Sequence, residues 1–216
     1  MKGTPGRLAL VKISGDPLAL VDEACTDLGE HQVYQITNSA KRVLSPTAAI
    51  TVNEDGVATV ESYTINRLLG TISFATVDAA RGAITISGSY LPLSTAARAR
   101  SYSWQISATN ADDTDFDSAF TEGMVRRQQS ITDISGNVGR KWSIDTYFVD
   151  ALMAGAPVVI EIFADRTTNV AEIICWALLN KQDFSAAMES IEDATVAFVG
   201  AADVDGRVVA SPLVGA

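Results

Sequence analysis

The chain has 216 residues, 47% of them apolar, which is enough to fill one large core or two small ones and argues against disorder. Sixteen Lys and Arg against 26 Asp and Glu leave a net charge of −10, which opposes a grip on nucleic acid because phosphate contacts need a basic surface. Residues 1–97 carry seven basic and nine acidic side chains and residues 98–216 nine and seventeen, so −8 of the −10 falls in the second part.

The N-terminal MKGTPGRLALVKI has a short apolar stretch broken by Lys12, too short for a signal-peptide core. No apolar run approaches the ~20 residues that cross a bilayer as a helix. The expectation is a soluble product made in the cytoplasm, with no membrane partner. Cys25 and Cys175 lie far apart, without metal-ligand spacing or a disulfide-framework pattern, and are expected to be reduced.

Period-two patterning dominates the first half. Ile50 and Val52 alternate, Glu54-Asp55-Gly56 supplies a turn, and Val57 to Val60 returns as the hairpin partner. Tyr63 and Ile65, then Ile72 and Phe74, then Ile84 and Ile86 after Arg81-Gly82, continue the series to four or five short strands. The polar stretch from Ser94 to Arg100 separates this block from the next and sets the expected division: a β-rich portion at 1–97 and a second portion at 98–216. Beyond it Tyr102, Trp104, Ile106 and Ala108 alternate with Ser101, Ser103, Gln105, Ser107 and Thr109, which predicts a strand with one wet face.

One helix is predicted near 143–155. Ile144, Phe148 and Leu152 recur every fourth residue, Ser143 can cap the start, Asp145 suits the positive end, Gly155 closes it and Pro157 prevents continuation. Apolar strands follow at Val158 to Phe163 and Ile173 to Leu179. Val196 to Val199 is expected to pair across Asp205-Gly206 with Val208-Val209. Residues 183–193 fit either a short helix, through Phe184, Ala187, Met188 and Ile191, or a strand.

The residue types that catalysis needs are mostly missing or misplaced. Activating a serine or cysteine requires an imidazole, and the one histidine, His31, sits in the polar stretch Asp27-Leu28-Gly29-Glu30, where a solvated loop histidine is expected. No G-x-S-x-G elbow surrounds any serine. Asp112, Asp113, Asp115 and Asp117 invite calcium, but counting from Asp113 the sixth position holds Ser118 and the twelfth Met124, where a calcium loop needs Gly and Glu. Gly136-Asn137-Val138-Gly139-Arg140-Lys141 lacks phosphate-loop spacing and reads as a turn between strands. Arg126-Arg127 and Arg140-Lys141 suit carboxylates on a neighbouring copy better than DNA. Trp104, Trp142 and Trp176 are expected in cores, and nothing singles out a carboxylate pair for glycoside chemistry. No catalytic residue, cofactor or metal is therefore expected, and the chemistry points away from an enzyme.

Several segments together resemble the tail tube, or major tail, proteins of siphophage-like bacteriophage particles. They are Tyr34-Gln35-Ile36-Thr37 running to Ala40-Lys41-Arg42, the Asp55-Gly56 hairpin, Tyr63 to Asn66, Gly70 to Phe74 and Gly88-Ser89-Tyr90-Leu91-Pro92. Later come the Trp104 strand followed by Thr114-Asp115-Phe116, the helix and strand at 143 to 163, and Val196 to Gly200. The resemblance implies a mainly β fold, a β-sandwich or barrel flanked by one α-helix. It further implies a virion tail protein, made in the host cytoplasm, whose copies form rings, usually hexameric. Such rings stack into a channel through which DNA reaches the host without specific binding. Implied partners are other copies, the tape measure, the tail terminator and distal tail components. The large β-rich first part departs from the pattern, as either an outward-facing addition or an integral part of the sandwich. The acid of the second part suggests an acidic channel wall that repels DNA. A virion-attached β-sandwich that binds or decorates is the alternative reading.

Overall fold

The computed structural model describes residues 10–95, 99–112, 127–141, 147–163, 171, 173–185 and 193–210. They form two antiparallel sheets and one α-helix, the mainly β fold the sequence predicts. The larger sheet runs β10 (Ala99–Asp112), β11 (Arg127–Lys141), β14 (Asp193–Gly200), β13 (Ile173–Ser185), β12 (Val158–Phe163), β1 (Leu10–Ser14) and β9 (Leu93–Thr95), with β15 (Val209–Ala210) on β13. The smaller runs β5 (Val57–Ala58), β4 (Thr51–Glu54), β8 (Ile84–Tyr90), β2 (Leu18–Asp27), β3 (Val33–Ile36), β7 (Thr71–Phe74) and β6 (Tyr63–Asn66).

Strands of the first portion cross the expected division at 97/98. Val11 lies opposite Ile162, and Lys12 lies between Glu161 and Thr95, so β1 and β9 belong to the larger sheet. The whole smaller sheet, residues 18–90, is thus an insertion between two neighbouring strands. Its entry and exit sit side by side, where Gly15 N–H donates to the Pro92 carbonyl at 2.8 Å.

Alternation along the larger sheet sends one set of side chains into a shared core: Val11 and Ile13, Ile160 and Ile162, Ile173 and Cys175, Val196 and Phe198, Ile134 and Val138. The sheet curls around this core until β10 comes near β1. Helix α1 (Tyr147–Ala154) packs Ala151 and Leu152 against the same side chains. It ends where Gly155, at φ +61°, donates its N–H to the Leu152 carbonyl. The predicted helix start, Ser143 to Asp145, lies outside the described residues, as does Trp142.

The smaller sheet closes on Leu20, Tyr34, Ile36, Val52, Ile72 and Ile86 among others. Its hairpin at Asp55-Gly56 is the predicted one, with both residues at positive φ, as a two-residue turn of matching twist requires. Arg81 stacks 3.7 Å from the centre of the Phe74 ring, pairs with Glu61 at 2.8 Å and donates to the carbonyls of His31 and Thr76, tying three loops together.

A third cluster joins the sheets. Val43 and Leu68 of the insertion, with Leu91 just after it, pack on Val159, Ile174 and Trp176, which project from the face of the larger sheet opposite its main core. Arg67 bridges the same junction from a buried position. Its Nη1 donates to the carbonyls of Ser45 and Ala48, and its Nε donates to Asp205. Val204 N–H adds a hydrogen bond to the Pro46 carbonyl.

Two expectations are corrected. Gly136 to Lys141 is no turn: it lies inside β11, paired with β10 on one side and β14 on the other. The glycines serve packing, because a Cβ on Gly136 would stand 2.5 Å from the Phe198 ring. β15 does not pair with β14, whose two edges are taken by β11 and β13; it pairs with β13 beyond the end of β14, Val209 opposite Cys175. The ambiguous segment at 183–193 begins as strand, since β13 runs to Ser185, and resumes as strand at Asp193; the residues between lie outside the described ones.

Candidate assembly surface

β10 and β11 form the longest hairpin among the described residues, in register from Tyr102 opposite Val138 to Asp112 opposite Arg127, with a shift between Thr109 and Asn110. β10 ends its sheet, and no described strand pairs with its outer edge. The predicted alternation is present near the body, where Tyr102 and Trp104 are half-buried against the main core. Farther out it continues without cover. Ile106 is 50% exposed although it lies opposite buried Ile134, and Ala108 is exposed. A 14-residue strand that ends its sheet among the described strands, beside a half-exposed apolar side chain, is a template for another strand.

The wet face of this hairpin is uncharged for most of its described length. Ser103 lies opposite Asn137, Gln105 opposite Ser135 and Ser107 opposite Asp133, and Gln105 Nε2 donates to Ser135 Oγ at 3.3 Å. Next to them Ala197 and Val199 of β14 and Asn180, at the bulge of β13, complete a shallow depression of about 290 Å³. Asp133 is the one carboxylate among the described side chains of β10 and β11 on this face. Of the four clustered aspartates, Asp112 closes β10, and Asp113, Asp115 and Asp117 lie outside the described residues.

The other singled-out residues occupy structural positions. His31 is exposed at a loop with Gly29 and Glu30, all at positive φ, and its Nδ1 is 2.8 Å from Asp27 Oδ2. Trp176 is fully buried at the junction of the sheets. Arg127, Arg140 and Lys141 lie on β11, and Arg126 lies outside the described residues.

Cys25 and Cys175 are both free and sit in different sheets. Burial pushes the Cys175 thiol up to about 12, and burial with the nearby Glu23 carboxylate pushes Cys25 up to about 11, so neither has the depressed thiol of a nucleophile. Lys41 is raised chiefly by its hydrogen bond to Glu23. Burial raises the Tyr34 phenol. No group of three or more metal-ligating side chains occurs among the described residues.

The signal that sequence reading missed here is β11. Arg127 to Lys141 has few apolar residues and two glycines, so nothing in its pattern announces a 15-residue strand. Among its described side chains, Ile134 and Val138, four apart, mark its buried side.

No protein-family model matches the chain, and neither does any curated protein. Among solved structures, part of the chain is similar to a chain in the tail of an empty gene transfer agent particle with C6 symmetry. That match has 10% identity and a TM-score of 0.44, and covers 56% of this chain and 86% of the other. A chain in the virion of a native gene transfer agent particle is similar at 12% identity and a TM-score of 0.42, with 50% and 84% covered.

Proposed function

We propose that the chain is the structural subunit of a phage-like tail tube and has no catalytic role. Copies pair through the outer edge of β10, close into a ring, six-membered as the family resemblance implies, and stack into a channel for DNA. The observation that carries this reading is that β10, long and half-exposed at Ile106, ends its sheet among the described strands. A monomer gains nothing from exposing such an edge, whereas a closed ring removes it by pairing every copy with the next. The ordered segments that resemble tail tube proteins support the same reading, and the tail terminator, tape measure and distal tail components would be its other partners.

Purified protein tests it by negative-stain electron microscopy and sedimentation. Rings or tubules about 10 nm wide, the size of a large closed barrel, are expected. A chain that stays monomeric at high concentration and instead binds a carbohydrate or a host surface protein would replace this reading with the decoration module.

A further inference from the structure

The two faces of the larger sheet are unequal, and their layout decides how a subunit sits in the tube proposed above, the reading on which this inference rests. One face, bearing Val138, Ile160 and Phe198, is filled by the main core and covered by α1. It cannot border a water-filled channel. The opposite face is divided. Over β12 and the part of β13 from Ile174 to Trp176 it is covered by the inserted sheet, through Val159 and Trp176 packed on Val43 and Leu68. Over β10 and β11 it is open, with Ser103, Gln105, Ser135 and Asn137 at its surface.

The curl of the sheet separates these two parts in space. β10 approaches β1 across the core, so the sheet goes most of the way round a barrel. Strands β11 and β12 are three places apart in that circuit, and their outward faces therefore point in roughly opposite directions. We infer that the open hydroxyl and amide face of β10 and β11 lines the channel, and that the inserted sheet of residues 18–90 projects from the outer wall of the tube. Over its described side chains a polyanion then meets a hydrated wall that is close to neutral: Asp133 of β11 supplies one carboxylate, and Lys181 of β13, opposite Ala197 of β14, one ammonium. No row of cations is present on its described side chains to hold phosphates.

Single-cysteine labelling of assembled tubes tests the inference. Ser103→Cys and Asn137→Cys report the open face, and Val60→Cys, at a fully exposed position of the insertion, reports the outer wall. Each variant is treated as free subunits and as tubes with N-ethylmaleimide and with a polyethylene-glycol maleimide too bulky for the channel; the parent protein gives the background of Cys25 and Cys175. In tubes, Val60→Cys is expected to react with both reagents. Ser103→Cys and Asn137→Cys are expected to keep their reaction with the small reagent and lose it with the large one. Two outcomes overturn the orientation while leaving the tube reading intact: tubes in which the open-face cysteines take the large reagent as fast as free subunits do, or tubes in which they take neither. Absence of tubes in the parent protein overturns the reading itself, and this inference with it.

Discussion

Replacing Arg67 by methionine tests what fastens the inserted sheet to the larger one. The methionine keeps much of the apolar stem but has no donor, so the carbonyls of Ser45 and Ala48, reached at 2.8 and 2.9 Å, lose their partner. An orphaned buried carbonyl costs about 1–3 kcal/mol. The Ser45 bond is buried and belongs at the upper end, whereas the Ala48 bond is part-buried and water can replace it, so the two together cost about 2–4 kcal/mol. The ion pair with Asp205 adds little, because that carboxylate is 45% exposed; Asp205→Ala alone should cost under about 1 kcal/mol. Urea denaturation followed by tryptophan emission, to which fully buried Trp176 contributes from the junction itself, measures both variants. If Arg67→Met loses no more than Asp205→Ala, the carbonyl clamp is not what holds the junction.

Other sites give independent checks. Gly136→Val would place a Cβ 2.3 Å from the Ser103 carbonyl and 2.5 Å from the Phe198 ring, and should cost about 1–3 kcal/mol or more, seen as a lower thermal midpoint. Gly70→Ala should destabilise the insertion by about 1–3 kcal/mol, because φ is +62° and the new Cβ would stand 2.5 Å from the Arg42 carbonyl; hydrogen exchange should locate the loss in the smaller sheet. Burial raises the Cys175 thiol from 9.0 to about 12, so above pH 9 the unfolded thiol loses its proton while the folded one keeps it. Stability from this group is thus complete below pH 9 and falls as pH rises towards 12. Denaturation at several alkaline pH values should show that decline, and Cys175→Val should make it shallower.

Strands that obey a simple period are readable in the sequence itself. Ile72 with Phe74, Ile84 with Ile86, and the Asp55-Gly56 hairpin all lie where alternation and turn chemistry put them. The apolar strand from Val158 to Phe163 has the predicted ends. What failed has a physical cause in each case. β11 carries its information in glycines that admit the Phe198 ring at Gly136 and Ser101 at Gly139, and such vacancies look like turns in a sequence. β1 was invisible as a member of the larger sheet because its partners, Glu161 and Ile162, lie about 150 residues away. Loop closure over that distance is written in no local pattern. The assembly surface was half legible: the alternation from Tyr102 to Ala108 gave the strand and its wet face. That the strand would end its sheet, and that Ile106 would stay bare, depends on neighbours that one sequence does not display.

The most direct test of the central claim compares the parent chain with Ile106→Lys. The side chain is half exposed and lies on a strand that ends its sheet among the described strands, so the substitution should cost the subunit about 1 kcal/mol while placing a charge where the next copy must pair. Negative-stain microscopy of both proteins, with thermal melts to verify folding, makes the comparison. The account predicts tubes or rings for the parent and folded, dispersed subunits for Ile106→Lys. Tubes formed equally well by the variant would contradict it, because the edge of β10 would then not be where the copies join.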